Sequence, residues 1–258
     1  QTIMVPAIDT VSTANANTRF IYQDAMMFKF AMKEINFNAA DVKVVVYRDG
    51  VEVENGDGYG YMPEKNWSTN SASYIHTLTM EIGKKNGELV DGDYQIKIDY
   101  IDRAGYSMST YISNIITIDN TDPVINVDYD NYAANNKLYY NKDREATITI
   151  TDRNVVSDEI IVKVMATDID GNVVPFDLES KQSPWKFDKA TNKWTSKVKY
   201  DKDAKYDFKI VCNDMADNGD SDDDSFTVDK TAPKKDSFRF EYSKALQGIF
   251  YGKRYAEG

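Results

Sequence analysis

Residues 117–130 read TIDNTDPVINVDYD, and residues 227–240 read TVDKTAPKKDSFRF. Each stretch carries a Thr-x-Pro at its centre, Thr121 with Pro123 in one and Thr231 with Pro233 in the other. Self-similarity at a fixed period marks an array of like units. Aligning Pro6 with Pro123 extends the match. Tyr22, Asn36 and Trp67 recur 118 positions later as Tyr140, Asn154 and Trp185, while Tyr94, Asp102 and Ala104 recur 112 positions later as Tyr206, Asp214 and Ala216. The drop from 118 to 112 places extra residues in the middle of the first copy, over residues 55–73. Three units follow: 1–122, 123–232, and 233–258, the last a third unit cut short.

Periodicity within each unit predicts strands. ATITIT (Ala146 to Thr151), VKVVVY (Val42 to Tyr47), EIIVKVMAT (Glu159 to Thr167), YQIKIDYI (Tyr94 to Ile101), KWTSKVKY (Lys193 to Tyr200) and YDFKIVC (Tyr206 to Cys212) are rich in β-branched and aromatic residues. Most alternate with period two, as strands with one buried face do. RDGV (Arg48 to Val51) and DIDGNV (Asp168 to Val173) supply Asp-Gly turns, in which glycine accepts the positive φ of a tight hairpin. No stretch sustains a helical stripe. Several short strands in roughly 110 residues make a sandwich or a barrel, and the Trp in each copy favours a seven-stranded immunoglobulin-like sandwich without the antibody disulfide. The fold class read from the sequence is therefore all-β, with tandem immunoglobulin-like β-sandwiches.

Composition narrows the function. Hydrophobic residues make up 41% of the 258 and aromatics 12%, enough to build cores despite 28% charged residues. No apolar run is long enough for a membrane span, and the first twenty residues lack the basic start and apolar core of a signal peptide, so the segment reads as internal or processed. With 42 acidic against 31 basic residues the net charge is −11, which repels phosphate backbones and argues against nucleic acid; its simplest role is solubility. Cys212 is the sole cysteine, placed on a strand as a small buried hydrophobe with no intrachain disulfide. His76 is the sole histidine, so any Ser-His-Asp arrangement must be built on it; SYIHTLTM places it on a strand. Phosphate loops, G-x-S-x-G and Cys/His ligand clusters are missing, and no unique carboxylate pair stands out. The reading is non-catalytic.

The second copy, with YYNKDREATITITDRNV, DGNVV, KYDFKIVCNDMADN and FTVDKTAP, resembles the tandem bacterial Ig-like domains of large surface proteins from gram-positive bacteria. The first copy is similar more loosely, with AMKEINF where the pattern has TITDRNF, and Asp217 stands where the family usually has Gly. The resemblance implies an extracellular or cell-surface location and a role as spacer or adhesive module, with neighbouring modules of the same chain, and a host or cell-surface protein or glycan, as partners. The alternatives are a carbohydrate-binding module or accessory domains of a secreted enzyme. Surface sandwiches of this kind can also carry a Lys-Asn isopeptide bond. Pro123 and Pro233 restrict the junctions to extended conformations, which suits a semi-rigid stalk.

Two site expectations follow. The run NDMADNGDSDDDS (Asn213 to Ser225) reads as an acidic hairpin or as a calcium site using Asp214, Asp217, Asn218 and Asp220, because Ca²⁺ takes six to eight oxygens; its spacing is not that of an EF-hand loop. No other cofactor is expected. Tyr59, Tyr61 and Trp67, in the inserted stretch, are candidate ligand-binding aromatics, able to stack on sugars or anchor a protein.

Overall fold

The computed structural model describes residues 2–4, 20–53, 58–59, 66–131 and 138–233. The chain is nearly all β. In the first half the strands are β1 (Thr2–Met4), β2 (Ile21–Tyr22), β3 (Met26–Lys33), β4 (Val42–Arg48), β5 (Val51–Glu52), β6 (Trp67–Asn70), β7 (Ile75–Ile82), the small hairpin β8 (Lys84–Lys85) and β9 (Glu88–Leu89), then β10 (Gly92–Tyr100), β11 (Tyr111–Ile112) and β12 (Ile116–Ile118). In the second half they are β13 (Val124–Tyr129), β14 (Tyr139–Tyr140), β15 (Arg144–Thr151), β16 (Ile160–Thr167), β17 (Val173–Val174), β18 (Lys186–Asp188), β19 (Lys193–Tyr200), β20 (Ala204–Asn213) and β21 (Gly219–Val228). Helix among the described residues is limited to single turns, the longest being α1 (Leu178–Lys181). None is long and apolar enough to cross a membrane.

The two halves use one plan. One sheet runs β1-β3-β7-β6 in the first half and β13-β15-β19-β18 in the second; its partner runs β2-β12-β10-β4-β5 and β14-β21-β20-β16-β17. All pairings are antiparallel except two, β2 with β12 and β14 with β21, which are parallel. Alternation explains the packing. In β10, Tyr94, Ile96, Ile98 and Tyr100 point inward while Asp93, Gln95, Lys97 and Asp99 point out, and in β15 Ala146, Ile148 and Ile150 are fully buried. The buried side chains fall into two clusters, one on Phe30, Leu78, Tyr94 and Ile96, the other on Ile148, Tyr206, Phe208 and Phe226. Each fully buried Ile or Phe contributes about 1.5–3 kcal/mol. Cys212 lies in the second cluster, and burial pushes its thiol up to about 12, so it is an inert packing group.

Register corrects one alignment. Thr2 pairs with Lys33 as Val124 pairs with Thr151, so Thr2, and not the residue after Pro6, is the counterpart of Val124. The acidic run forms the second arm of a hairpin with β20. Only residues 214–218 form the turn, and Gly219–Val228 is strand β21. On one side β21 pairs with β20 throughout; on the other it meets β14 only at Thr227 and Val228. The N–H groups of Thr227 and Asp229 reach Leu138 and Tyr140 on that open side. Further along the same side the N–H groups of Ser221, Asp223 and Ser225 are each taken by the carboxylate of the preceding Asp, at 2.8, 2.9 and 2.8 Å. Carboxylates thus cover the open edge that another strand would otherwise pair with.

Candidate cation site at the junction

The repeated Asp-x-Thr-x-Pro builds the same lock twice. Asp119 donates its N–H to Tyr22 O and accepts from Thr121 N through Oδ1, while Thr121 Oγ1 donates to Asp91. Asp229, Thr231 and Asp203 repeat these bonds, with Asp229 N on Tyr140 O, Thr231 N on Asp229 Oδ1 and Thr231 Oγ1 on Asp203. Asp and Thr are needed because their short side chains satisfy the backbone that leaves the last strand; the proline then keeps it extended.

Asp119 turns the first lock into a site. Its carboxylate meets those of Asp152, just past β15, and Asp214, in the β20–β21 turn; one oxygen of each lies within 4.8 Å of the others. All three residues are buried, at 1%, 8% and 3% exposure. Asp214 Oδ1 accepts from Ala216 N and Asn218 N, and Oδ2 from Asn218 Nδ2. Asp152 Oδ1 accepts from Asn154 N and Val155 N. Asn154 Nδ2 donates to Asp119 Oδ2. Asn218, also buried, donates to Asp119 O and accepts from Gln23 Nε2 at 2.7 Å.

Among the described residues no lysine or arginine pairs with these three carboxylates; the nearby Arg153 is engaged with Asp93 at 2.8 Å. Burial, opposed by the bonds from Thr121 and Asn154 and reinforced by Asp152 and Asp214, raises the Asp119 carboxyl to about 6. Burial likewise raises Asp214, against the bonds from Asn218 and Ala216. A cation between close, buried carboxylates offsets their mutual repulsion and lost hydration. The donor set is all oxygen and hard, which fits Ca²⁺ best and Mg²⁺ less well. Asp119, Asp152 and Asp214 would hold the ion.

The calcium set read from the sequence is placed as follows. Asp214 and Asn218 belong to the cluster. Asp217 is exposed with φ +68° in the turn, and Asp220 lies outside the cluster at the start of β21, its Oδ2 accepting from Ile125 N of β13 and its Oδ1 from Ser221 N. Asp119 and Asp152 were missed because they lie far from Asp214 in sequence; the signal was present in the Asp of the repeated Asp-x-Thr-x-Pro and in the TDRN that ends β15.

Of the candidate aromatics, the two described are not exposed together. Trp67 packs on the first core, 4.9 Å from Phe37 and edge-on to Phe30. Tyr59 is half-buried, bonded by Arg48 and overlaid by Lys85. Tyr61 lies outside the described residues. His76 stacks on Phe37 at 3.9 Å and uses both ring nitrogens, toward Thr69 Oγ1 and Glu34 O, as a packing residue does. No protein-family model and no curated protein matches this chain.

Proposed function

We propose that the chain is a non-catalytic segment of tandem immunoglobulin-like sandwiches from a secreted or cell-surface protein, acting as a spacer whose junction is fixed by a divalent cation. The carrying observation is the convergence of Asp119, which leaves the last strand of one half, with Asp152 and Asp214 from the facing end of the next. An ion there ties two sandwiches at one point. The immunoglobulin-like reading is supported by the parallel pairing of a short strand with the last strand of each half. It is supported again by Tyr94 and Tyr206, whose hydroxyls donate to the carbonyls of Val90 and Lys202, four residues upstream, as in a tyrosine corner. Further contacts hold the junction without the ion: Arg153 with Asp93, Gln23 with Asn218, and Asn218 Nδ2 on Asp119 O.

Scanning calorimetry in EDTA and in millimolar CaCl₂ tests the reading. Binding to the folded state alone raises stability by about 2.7 kcal/mol at a ligand concentration of 100 Kd. Calcium is expected to raise the transition of the wild type, and Asp119→Asn combined with Asp152→Asn to remove the difference. Equal transitions in both media refute it.

A further inference from the structure

Each half has an entry pole, where its first strand begins, and an exit end, where its last strand leaves. The two entry poles are built alike. Lys33 pairs with Ile75 as Thr151 pairs with Lys193, and Val42 with Tyr100 as Ile160 with Cys212. Beyond those pairs Glu34 donates its N–H to Tyr74 O and accepts from Asn36 N through its carboxylate, as Asp152 does with Asn192 O and Asn154 N. Asp102 Oδ1 takes the N–H groups of Ala104 and Tyr106, as Asp214 Oδ1 takes those of Ala216 and Asn218.

What lies on them differs. In the second half the exit end of the first half meets the pole, and Asp152, Asp214, Ala216 and Asn218 are buried. In the first half the counterparts are open: Glu34 and Asp102 are half-buried, and Ala104 and Tyr106 are exposed. Large apolar side chains stand there where the covered pole is polar, with Ile35 for Arg153, Tyr74 for Asn192, Ile101 for Asn213 and Tyr106 for Asn218. All four are exposed, Ile35 at 72% and Tyr106 at 70%. Apolar side chains grouped at one place on a surface mark a contact site. Within one chain the linker holds two surfaces at high local concentration, so polar contacts such as Arg153 with Asp93 and Gln23 with Asn218 serve. Surfaces on separate chains lack that tether and need apolar area.

The exit end of the second half carries a matching surface. Asp229 repeats the lock of Asp119, yet it is exposed where Asp119 is buried. In the first half the turn between β4 and β5 borders a groove at the junction, lined by Asp49 and Asp93 on one side and by Arg153 and Asn154 on the other. The corresponding turn between β16 and β17 is longer and holds Ile169 fully in solvent. Laid on an entry pole as the first half lies on the second, this end brings Ile169 to Ile35 and Asp229 to Asn36. We propose that copies of the chain join head to tail, the exit end of one docking on the entry pole of the next. Such a contact is heterologous and does not close, so it extends into filaments. It rests on the cation reading in one respect: Asp229, Glu34 and Asp102 would meet as Asp119, Asp152 and Asp214 do, so calcium is present in the test.

Sedimentation velocity of the full chain in excess CaCl₂ is expected to show monomers at micromolar concentration that grow into dimers and longer species toward millimolar. Ile35→Asp with Tyr106→Asp blocks the entry pole, and Ile169→Asp blocks the exit end. All three side chains are exposed, so each variant should keep the wild type's thermal transition; should one not fold, serine replaces aspartate. Either variant alone should associate at least tenfold more weakly than the wild type. An equimolar mixture of the two should form dimers and nothing larger, because each supplies one working end. The proposal is overturned by a wild type that stays monomeric at millimolar chain, by folded variants that associate as the wild type does, or by a mixture that stays monomeric or grows beyond dimers. Calcium bound per chain in the same samples separates the two readings: a monomeric chain that holds its ion refutes the head-to-tail contact alone, and a monomeric chain that holds none refutes both.

Discussion

The second half closes its leading corner with an arginine held between rings, whereas among the described residues the first half has Met26 beside a cavity there, although the two pairs of sheets run in the same strand order. The difference rests on few residues. Met26 for Arg144 and Ile116 for Phe226 remove a stacked cation and a ring, while the acids at Asp220, Asp222 and Asp224 have no counterpart in SMSTYISNII. One plan thus carries a buried arginine cage and an acid-lined edge in one half, and an apolar corner without either in the described residues of the other. Sequence similarity of the strands conveys the fold; it says little about the edges, where partners meet.

Breaking the sealed corner should have the largest effect. Tyr140→Ala removes a wall of the Arg144 cage, and its cost is expected at about 3–5 kcal/mol, the range for deleting a buried ring. Tyr22→Ala, beside space that is already empty, loses fewer contacts and should cost about 1 kcal/mol less. Urea denaturation followed by a probe in each half measures both; equal losses would mean that the two corners are energetically alike.

The guarded edge makes the next contrast. Asp222→Thr with Asp224→Val removes two of the carboxylates that take N–H groups on the open side of β21. Sedimentation velocity should show concentration-dependent association of this variant, with the wild type monomeric under the same conditions. A monomeric variant would leave the carboxylates without a protective role.

Smaller effects belong to the repeated lock. Thr121→Val and Thr231→Val each remove one hydrogen bond to a carboxylate, from Asp91 and Asp203, for about 1–2 kcal/mol each. Thr121→Val should also weaken calcium binding, because it loosens the loop that aims Asp119, whereas Thr231→Val should not. Equal effects on calcium would separate the lock from the site.

A pH slope belongs to the same lock. With calcium removed, Asp119 titrates near 6 because it is buried, against about 3.9 in an unfolded chain. The folded state then binds the proton more tightly, so stability is greatest below about pH 4 with respect to this group and falls as pH rises through 6. Saturating calcium, which competes with that proton, should flatten the slope. Denaturant midpoints between pH 4 and 7 in EDTA and in calcium test this.

Much of the fold was legible because strands with one buried face advertise themselves in alternation, as ATITIT and YQIKIDYI do, and because Asp-x-Thr-x-Pro repeats. The acidic run was legible as a hairpin but not as a long strand, since SDDDS has no apolar alternation; its residues form β21 through pairing with β20, which supplies the β-branched and aromatic partners. Pro6 misled the register because a lone proline matches any other. Asp214 and Asn218 were legible as an acidic turn, but their partners come from other strands, and only the folded junction brings Asp119 and Asp152 to them. Trp67 looked like an exposed loop aromatic; Phe30 and Phe37, distant in sequence, claim it for the core.

The central claim is that a cation occupies the meeting point of Asp119, Asp152 and Asp214. Equilibrium dialysis of the full chain against radioactive calcium measures it most directly. The account predicts about one tightly held ion per chain, lost on Asp119→Ala and retained on Asp217→Ala. No bound calcium in the wild type, or an ion retained after Asp119→Ala, would contradict it.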